Sequence, residues 1–345
     1  MNSISVEKLN PSSDIWYKDC FNILLYSIIS YYDGNIFDLL LNSYYIYEID
    51  ENNLICLKEI PLSNDNIYKI LLKSGIECQG VFIDDKKVVD QLIAEYDKSE
   101  LYIIGVDSFY EEIRRDTYNK EHLAHALLIY GIDTENENVN IFEHTFRYSS
   151  KFTPQKLSFE NLRIAVAYFR ANVENNEFTK NTLPDFCRIN EKFPCYFKFK
   201  LSDNHSNNDH NEKASISKFS AKYKEIIPSI IDSIKYIRIL KENFDNMYRS
   251  KNLLEELIDK LNKLIINKKV EYYAFNKAYK ISTELQTLQN DCILDWTYIR
   301  SISAKSLYSE KVNEEQLSIA INKFNEIIEK EIKYYTLINE IVKEV

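Results

Sequence analysis

Three residues of this chain have the types and placement for nucleophilic acyl chemistry: Cys20, His125 and Glu143. Cys20 follows Asp19 and opens the run CFNILLYSIISYY, apolar on several faces. Asp is a helix-capping residue, so the run predicts a central, largely buried helix with Cys20 in its first turn and a stop at Asp33-Gly34. A thiol there faces unpaired backbone N–H groups and the positive end of the helix dipole, which favour thiolate. The same N–H groups can stabilise an oxyanion. A cysteine at a helix start can equally be a small core residue, because free Cys is among the most buried types. A base within reach separates the two cases.

His125 is that base. It stands immediately before Ala126–Tyr130, and Gly131-Ile132-Asp133 then leads into Val139–Phe142. The pattern predicts a β-hairpin centred near Thr134–Glu135, which sets His125 against Glu143 or its neighbours His144 and Thr145. A carboxylate beside the imidazole fixes its tautomer and stabilises the imidazolium. Asp133 is the competing acid, but eight residues along a strand is about 26 Å. Glu143 ranks first.

The positioning elements divide in two. All five Gly lie in the first 131 residues, which predicts a turn-rich α+β part with one layer of antiparallel sheet. Strands are expected at 80–83, 101–106, 126–130, 139–142 and 195–201, and helices at 67–74, 86–96 and 159–169. From about residue 213 the pattern turns helical, with stretches at 215–247, 249–266, 268–289, 290–306 and 312–344 forming a bundle. Pro228 is expected to kink or split the first. The last carries a stripe at Leu317, Ile321, Phe324, Ile328, Ile332, Tyr335 and Ile338. The expected domains are 1–201, a mobile polar loop at 202–213 (SDNHSNNDHNEK from Ser202), and 214–345.

Composition narrows the function. The formal charge is −10 across 345 residues, which argues against nucleic-acid binding. No Gly-rich phosphate loop is present. The six Cys form no C-x-x-C pair, and the Cys187/Cys195 spacing is too loose for a metal site, so none is expected. The N-terminus has neither a basic leader nor an apolar signal core, and the first apolar run is too short to cross a bilayer. The expectation is a cytoplasmic protein with reduced thiols.

The pieces DCFNILLYSIISYYDG, LYIIGVDSFYEE and HLAHALLIYGIDTENENVNIFEH, in that order, resemble the cysteine-peptidase-like superfamily. The closer resemblance is to the butirosin-type acyltransferases, with bacteriocin-leader-processing peptidases as more distant cousins. It covers about residues 15–170. It implies a papain-like N-terminal domain with a helical C-terminal part, and the triad Cys20, His125 and Glu143. The third position is usually Asp in that group. The Gln that papain-like peptidases place about six residues before the nucleophile is Asp14 here, which cannot donate to an oxyanion when ionised. Asp107 and His122 match an Asp-aromatic…His stretch of the same pattern, either structuring the loop beside the cleft or, through Asp107, binding an ammonium group.

The resemblance implies an acyl or peptidyl group carried from a carrier protein's phosphopantetheine thioester, through a Cys20 acyl-enzyme, to a small amine. Such enzymes serve antibiotic or thiotemplated (nonribosomal) peptide assembly. No cofactor of its own is expected. Hydrolysis by the same triad, or a binding module with an inert Cys20, are the competing expectations. Carrier proteins are acidic, so docking needs a local basic face, expected from Arg114, Arg115, Lys120, Arg147 and Lys151.

Overall fold

The computed structural model describes residues 9, 19–62, 65–146, 152–175, 178, 192–202, 212–309 and 312–344. In chain order these residues form α1 (Cys20–Tyr31), α2 (Phe37–Leu40), β1 (Ser43–Ile49), β2 (Ile55–Pro61), α3 (Ile67–Lys73), β3 (Ile76–Val81) and α4 (Val88–Ala94). There follow β4 (Leu101–Asp107), β5 (Ala124–Asp133), β6 (Asn138–Glu143), β7 (Thr153–Ser158), α5 (Phe159–Asn172) and β8 (Tyr196–Leu201). Five long helices complete the set: α6 (Glu212–Ser233), α7 (Lys235–Arg249), α8 (Lys251–Ala278), α9 (Thr283–Leu307) and α10 (Glu314–Lys343). The chain is mixed α+β, and among the described residues no helix is long and apolar enough to cross a membrane.

Two compact units emerge, Met1–Leu39 with Asp65–Asn211, and Leu40–Asn64 with Glu212–Val345. Residues 40–64 fall in the first domain on sequence grounds but cluster with the helices. The hairpin β1–β2 buries Tyr45, Tyr47 and Leu57. It is tied to the helices by Ser233 accepting from the Tyr47 N–H and Asn267 donating to the Leu57 carbonyl. Of the expected polar loop, residues 203–211 lie outside the described residues, and Glu212 already begins α6.

The first unit is built on a six-stranded antiparallel sheet ordered β3-β8-β4-β5-β6-β7. Strand alternation sends side chains to two separate cores. Leu101 and Ile103 of β4 join α1 in one, while Tyr102, Ile104 and Val106 join α4 and α5 in the other. Helices therefore cover both faces of the sheet. Helix α1 is buried from Phe21 through Ile29, as its all-round apolar sequence requires. It stops where Asp33 takes a left-handed φ of 55°. Gly34 then donates to the Ile29 carbonyl at 2.8 Å, at a point where a Cβ would meet the Ser74 carbonyl oxygen at 2.9 Å.

In the second unit, α6 runs on through Pro228 to Ser233, and the break falls at Ile234. Helix α8 is continuous through 267, correcting the two shorter helices expected there. Polar Asn267 and Lys268 suggest an interruption on sequence, but both side chains turn to partners inside the fold. On α10 the expected stripe holds at Leu317, Phe324, Ile328, Tyr335 and Ile338, whereas Ile332 is exposed and Glu331 is fully buried.

Candidate active site

Helix α1 presents Cys20 as its first residue. Asp19 caps it, its carboxylate accepting from the Asn22 backbone N–H at 2.7 Å and from the Asn22 side chain at 2.6 Å. Cys20 is half-buried, and its thiol hydrogen-bonds with the His125 ring. His125 Nε2 lies 2.7 Å from Glu143 Oε2, which leaves Nδ1 as the nitrogen for the thiol. The structure thus brings Cys20, His125 and Glu143 together from α1, β5 and β6.

Register explains how. Near the turn, residues pair as Asp133 with Asn138, Ile132 with Val139 and Gly131 with Asn140. A bulge between Ile129 and Gly131 then shifts the ladder, so that Ile129 meets Ile141 and Leu128 meets Phe142. Gly131 is needed beside the bulge, since a Cβ there would meet Asn140 Nδ2 at 2.6 Å. Continued by one residue, the register sets Glu143 opposite Leu127, diagonal to His125. Such diagonal neighbours are about 7–8 Å apart, within reach of long side chains. The extra methylene of Glu over Asp closes that gap.

Two further residues, missed on sequence, complete the site. Arg114 was expected on a basic surface. Instead its side chain is 2% exposed, donating to Glu143 Oε1 at 3.3 Å and, through Nε and Nη2, to Asp116 at 3.1 and 3.3 Å. Its Nη1 also approaches His125 Nε2 to 3.4 Å, but a guanidinium only donates and Nε2 already serves Glu143. Glu111 is fully buried, and among the described residues neither of its carboxylate oxygens has a hydrogen-bond partner. Both residues sit in the connection between β4 and β5, which is pinned by Ser108 donating to the Leu123 carbonyl and Arg115 to the Thr145 carbonyl. The stretch EEIRRD offers five charges in six residues, and nothing in its local pattern tells which two turn inward.

Glu143 is saturated: besides His125 and Arg114, it accepts from the His144 backbone N–H at 2.8 Å. Burial alone would raise its carboxyl, but His125 and then His144 hold it well below the usual carboxylate range. Burial likewise opposes a charged His125, yet Glu143 and Glu111, with the Cys20 hydrogen bond, lift the imidazolium well above its ordinary value. Glu111 moves the other way. Burial first, then Glu143, pushes its carboxyl up to about 7, with His125 and Arg114 opposing. Glu111, His125 and Glu143 place potential ligand atoms within 4.8 Å of one another. The Arg114 guanidinium already supplies the cation on Glu143, so the set does not fit a divalent ion.

Because the folded value of Glu111 lies above the ordinary 4.5, its contribution to stability is complete below that value. It is lost as pH rises through about 7. A rise from 4.5 to about 7 corresponds to about 3 kcal/mol. Glu111→Gln, which mimics the protonated form, is therefore expected to stabilise the protein by about that amount well above neutral pH and to leave it unchanged below 4.5. Urea unfolding at the two pH values checks this.

Asp107 and His122 meet each other. Asp107 is fully buried, its Oδ2 2.5 Å from His122 Nδ1 and its Oδ1 accepting from the Phe109 and Leu123 N–H groups. Through these three hydrogen bonds Asp107 organises the turn. The His122 ring is stacked between Phe109 and Tyr168, at 4.2 and 4.4 Å. Asp14 lies outside the described residues. No disulfide joins the described cysteines.

The chain matches no protein-family model, and no curated protein matches it significantly.

Proposed function

We propose that the chain is a cysteine-dependent acyltransferase of papain-like architecture, with Cys20 as nucleophile, His125 as base and Glu143 as the orienting acid. The observation that carries this reading is the relay itself: a thiol in the first turn of a helix, hydrogen-bonded to an imidazole whose other nitrogen is 2.7 Å from a buried carboxylate. A thiol that was only core filling would need no such partner.

In the proposed reaction the Cys20 thiolate attacks the carbonyl of an acyl thioester on a carrier protein's phosphopantetheine arm. The C–S bond to pantetheine breaks as the new C–S bond to Cys20 forms, and the leaving thiolate takes the proton held on His125. An amine then attacks the acyl-enzyme. The C–N bond forms, the bond to Cys20 breaks, and His125 accepts the amine's proton and returns it to Cys20. In this reading the backbone N–H of Cys20 donates to the developing oxyanion. Thioester exchange is nearly isoenergetic, and amide formation draws the sequence forward. The proposed setting is amide formation in thiotemplated antibiotic assembly.

Of the basic residues proposed to meet an acidic carrier, Arg114 is withdrawn by burial, and Arg147 and Lys151 lie outside the described residues. Arg115 and Lys120 remain exposed.

The test is intact-protein mass spectrometry after mixing with acyl-carrier thioesters. Wild type is expected to gain the acyl mass and to release it as amide on addition of amine, while Cys20→Ala gains nothing. Release as free acid regardless of amine would turn the reading to a hydrolase. No adduct with any donor, together with ordinary alkylation of Cys20, would turn it to a binding module.

A further inference from the structure

The buried acid beside the triad has no part in the reaction as written. Glu143 carries one negative charge, but the buried guanidinium of Arg114 bonds to it at 3.3 Å and stands 3.4 Å from His125 Nε2. An imidazolium at that position shares the Glu143 carboxylate with the Arg114 guanidinium and stands beside that cation. Asp116 draws on two of the Arg114 nitrogens but is itself partly exposed, where solvent weakens its field. Glu111 is a second buried carboxylate beside His125 and Glu143. One of its carboxylate oxygens and polar atoms of His125 and Glu143 fall within 4.8 Å of each other, and no hydrogen bond among the described residues satisfies its oxygens.

We propose that Glu111 is a positioning residue for His125, a second buried carboxylate whose charge keeps the imidazole protonated and so sustains the Cys20–His125 ion pair that the acyl-transfer reading requires. The charged groups acting on it are His125 from β5 and Glu143 from β6, within 4.8 Å, with Asp107 from the end of β4 and Arg114 from its own loop. Asp107 and Glu143 oppose its ionisation, and His125 and Arg114 favour it. A carboxyl this buried and unsatisfied detracts from stability above neutral pH, which is the pattern of a group kept for function rather than for the fold.

The experiment follows the His125 ring by its Cε1–Hε1 NMR signal across pH, assigned with His125→Gln, in wild type, Glu111→Gln and Glu111→Asp. In wild type the signal is expected to move in two steps, one as Glu111 ionises and one as the imidazolium itself deprotonates in the alkaline range. In Glu111→Gln the first step vanishes. The second falls by about one pH unit or more, a tenfold weaker hold on the proton. The alkaline limb of Cys20 alkylation by iodoacetamide moves with it, and Glu111→Asp restores part of both. An unchanged His125 titration in Glu111→Gln overturns the proposal. Should that variant not fold, a single-step titration in wild type overturns it equally. Failure of the acyl-transfer reading is separate: no acyl adduct forms on Cys20, whatever the coupling between Glu111 and His125.

Discussion

Cys20→Ser is expected to slow acyl transfer by about 10⁴-fold or more, in line with losses from removing a triad nucleophile. Serine is nearly isosteric, and the Asp19–Asn22 cap that starts α1 does not involve the thiol, so the fold is retained. What changes is the proton balance. A hydroxyl surrenders its proton far less readily than a thiol, and an imidazole cannot hold it as an ion pair. Glu143→Gln is expected to cost about 10⁴-fold by a different route. It replaces the charged acceptor at His125 Nε2 with a neutral amide and leaves the Arg114 guanidinium, 3.4 Å from that nitrogen, without the Glu143 charge. Measuring kcat/KM for both variants with one acyl thioester and one amine checks the pair. A Cys20→Ser enzyme within tenfold of wild type would remove Cys20 as nucleophile.

Lys268→Met is expected to destabilise the helical unit by about 3–5 kcal/mol, the range for breaking a buried charge cluster by removing one partner. Lys268 is fully buried. Its Nζ donates to Glu331 at 2.7 Å, to the Tyr335 hydroxyl at 2.8 Å and to Glu271 at 3.3 Å. The rings of Tyr335 and Tyr47 lie 4.6 and 5.1 Å away, adding cation–π attraction in a dry environment. Two carboxylates share this one ammonium. Glu271 is already held above the usual carboxylate range, by burial first and then by Glu331, against the pull of Lys268. Without the lysine both acids face each other unpaired. Denaturant unfolding measures the loss, and adding Glu271→Gln and Glu331→Gln to Lys268→Met should recover part of it. A single-variant cost below about 1 kcal/mol would show that the charges are not coupled as the distances imply.

What the sequence by itself determined was local. The Asp19 cap and the apolar run behind it define α1 and put Cys20 in its first turn, because capping depends on residues within one helical turn. Alternation and the Gly131-Ile132-Asp133 turn signal define the hairpin that carries His125 and Glu143, since strand pattern and turn chemistry are also short-range. The sequence placed His125 to within two residues of its register against Glu143. Tertiary structure decided the rest. The bulge at Ile129/Gly131 sets the diagonal approach of Glu143, and a one-residue shift in a ladder leaves no trace in hydrophobic pattern. The hairpin β1–β2 went unread because its tyrosines are buried by helices more than 150 residues away in the chain. Arg114, Glu111 and Lys268 look like surface charges in any local window. They are interior because each meets its counter-charge or its role only when distant elements converge, and burial of a charge is decided by that convergence rather than by its neighbours in sequence.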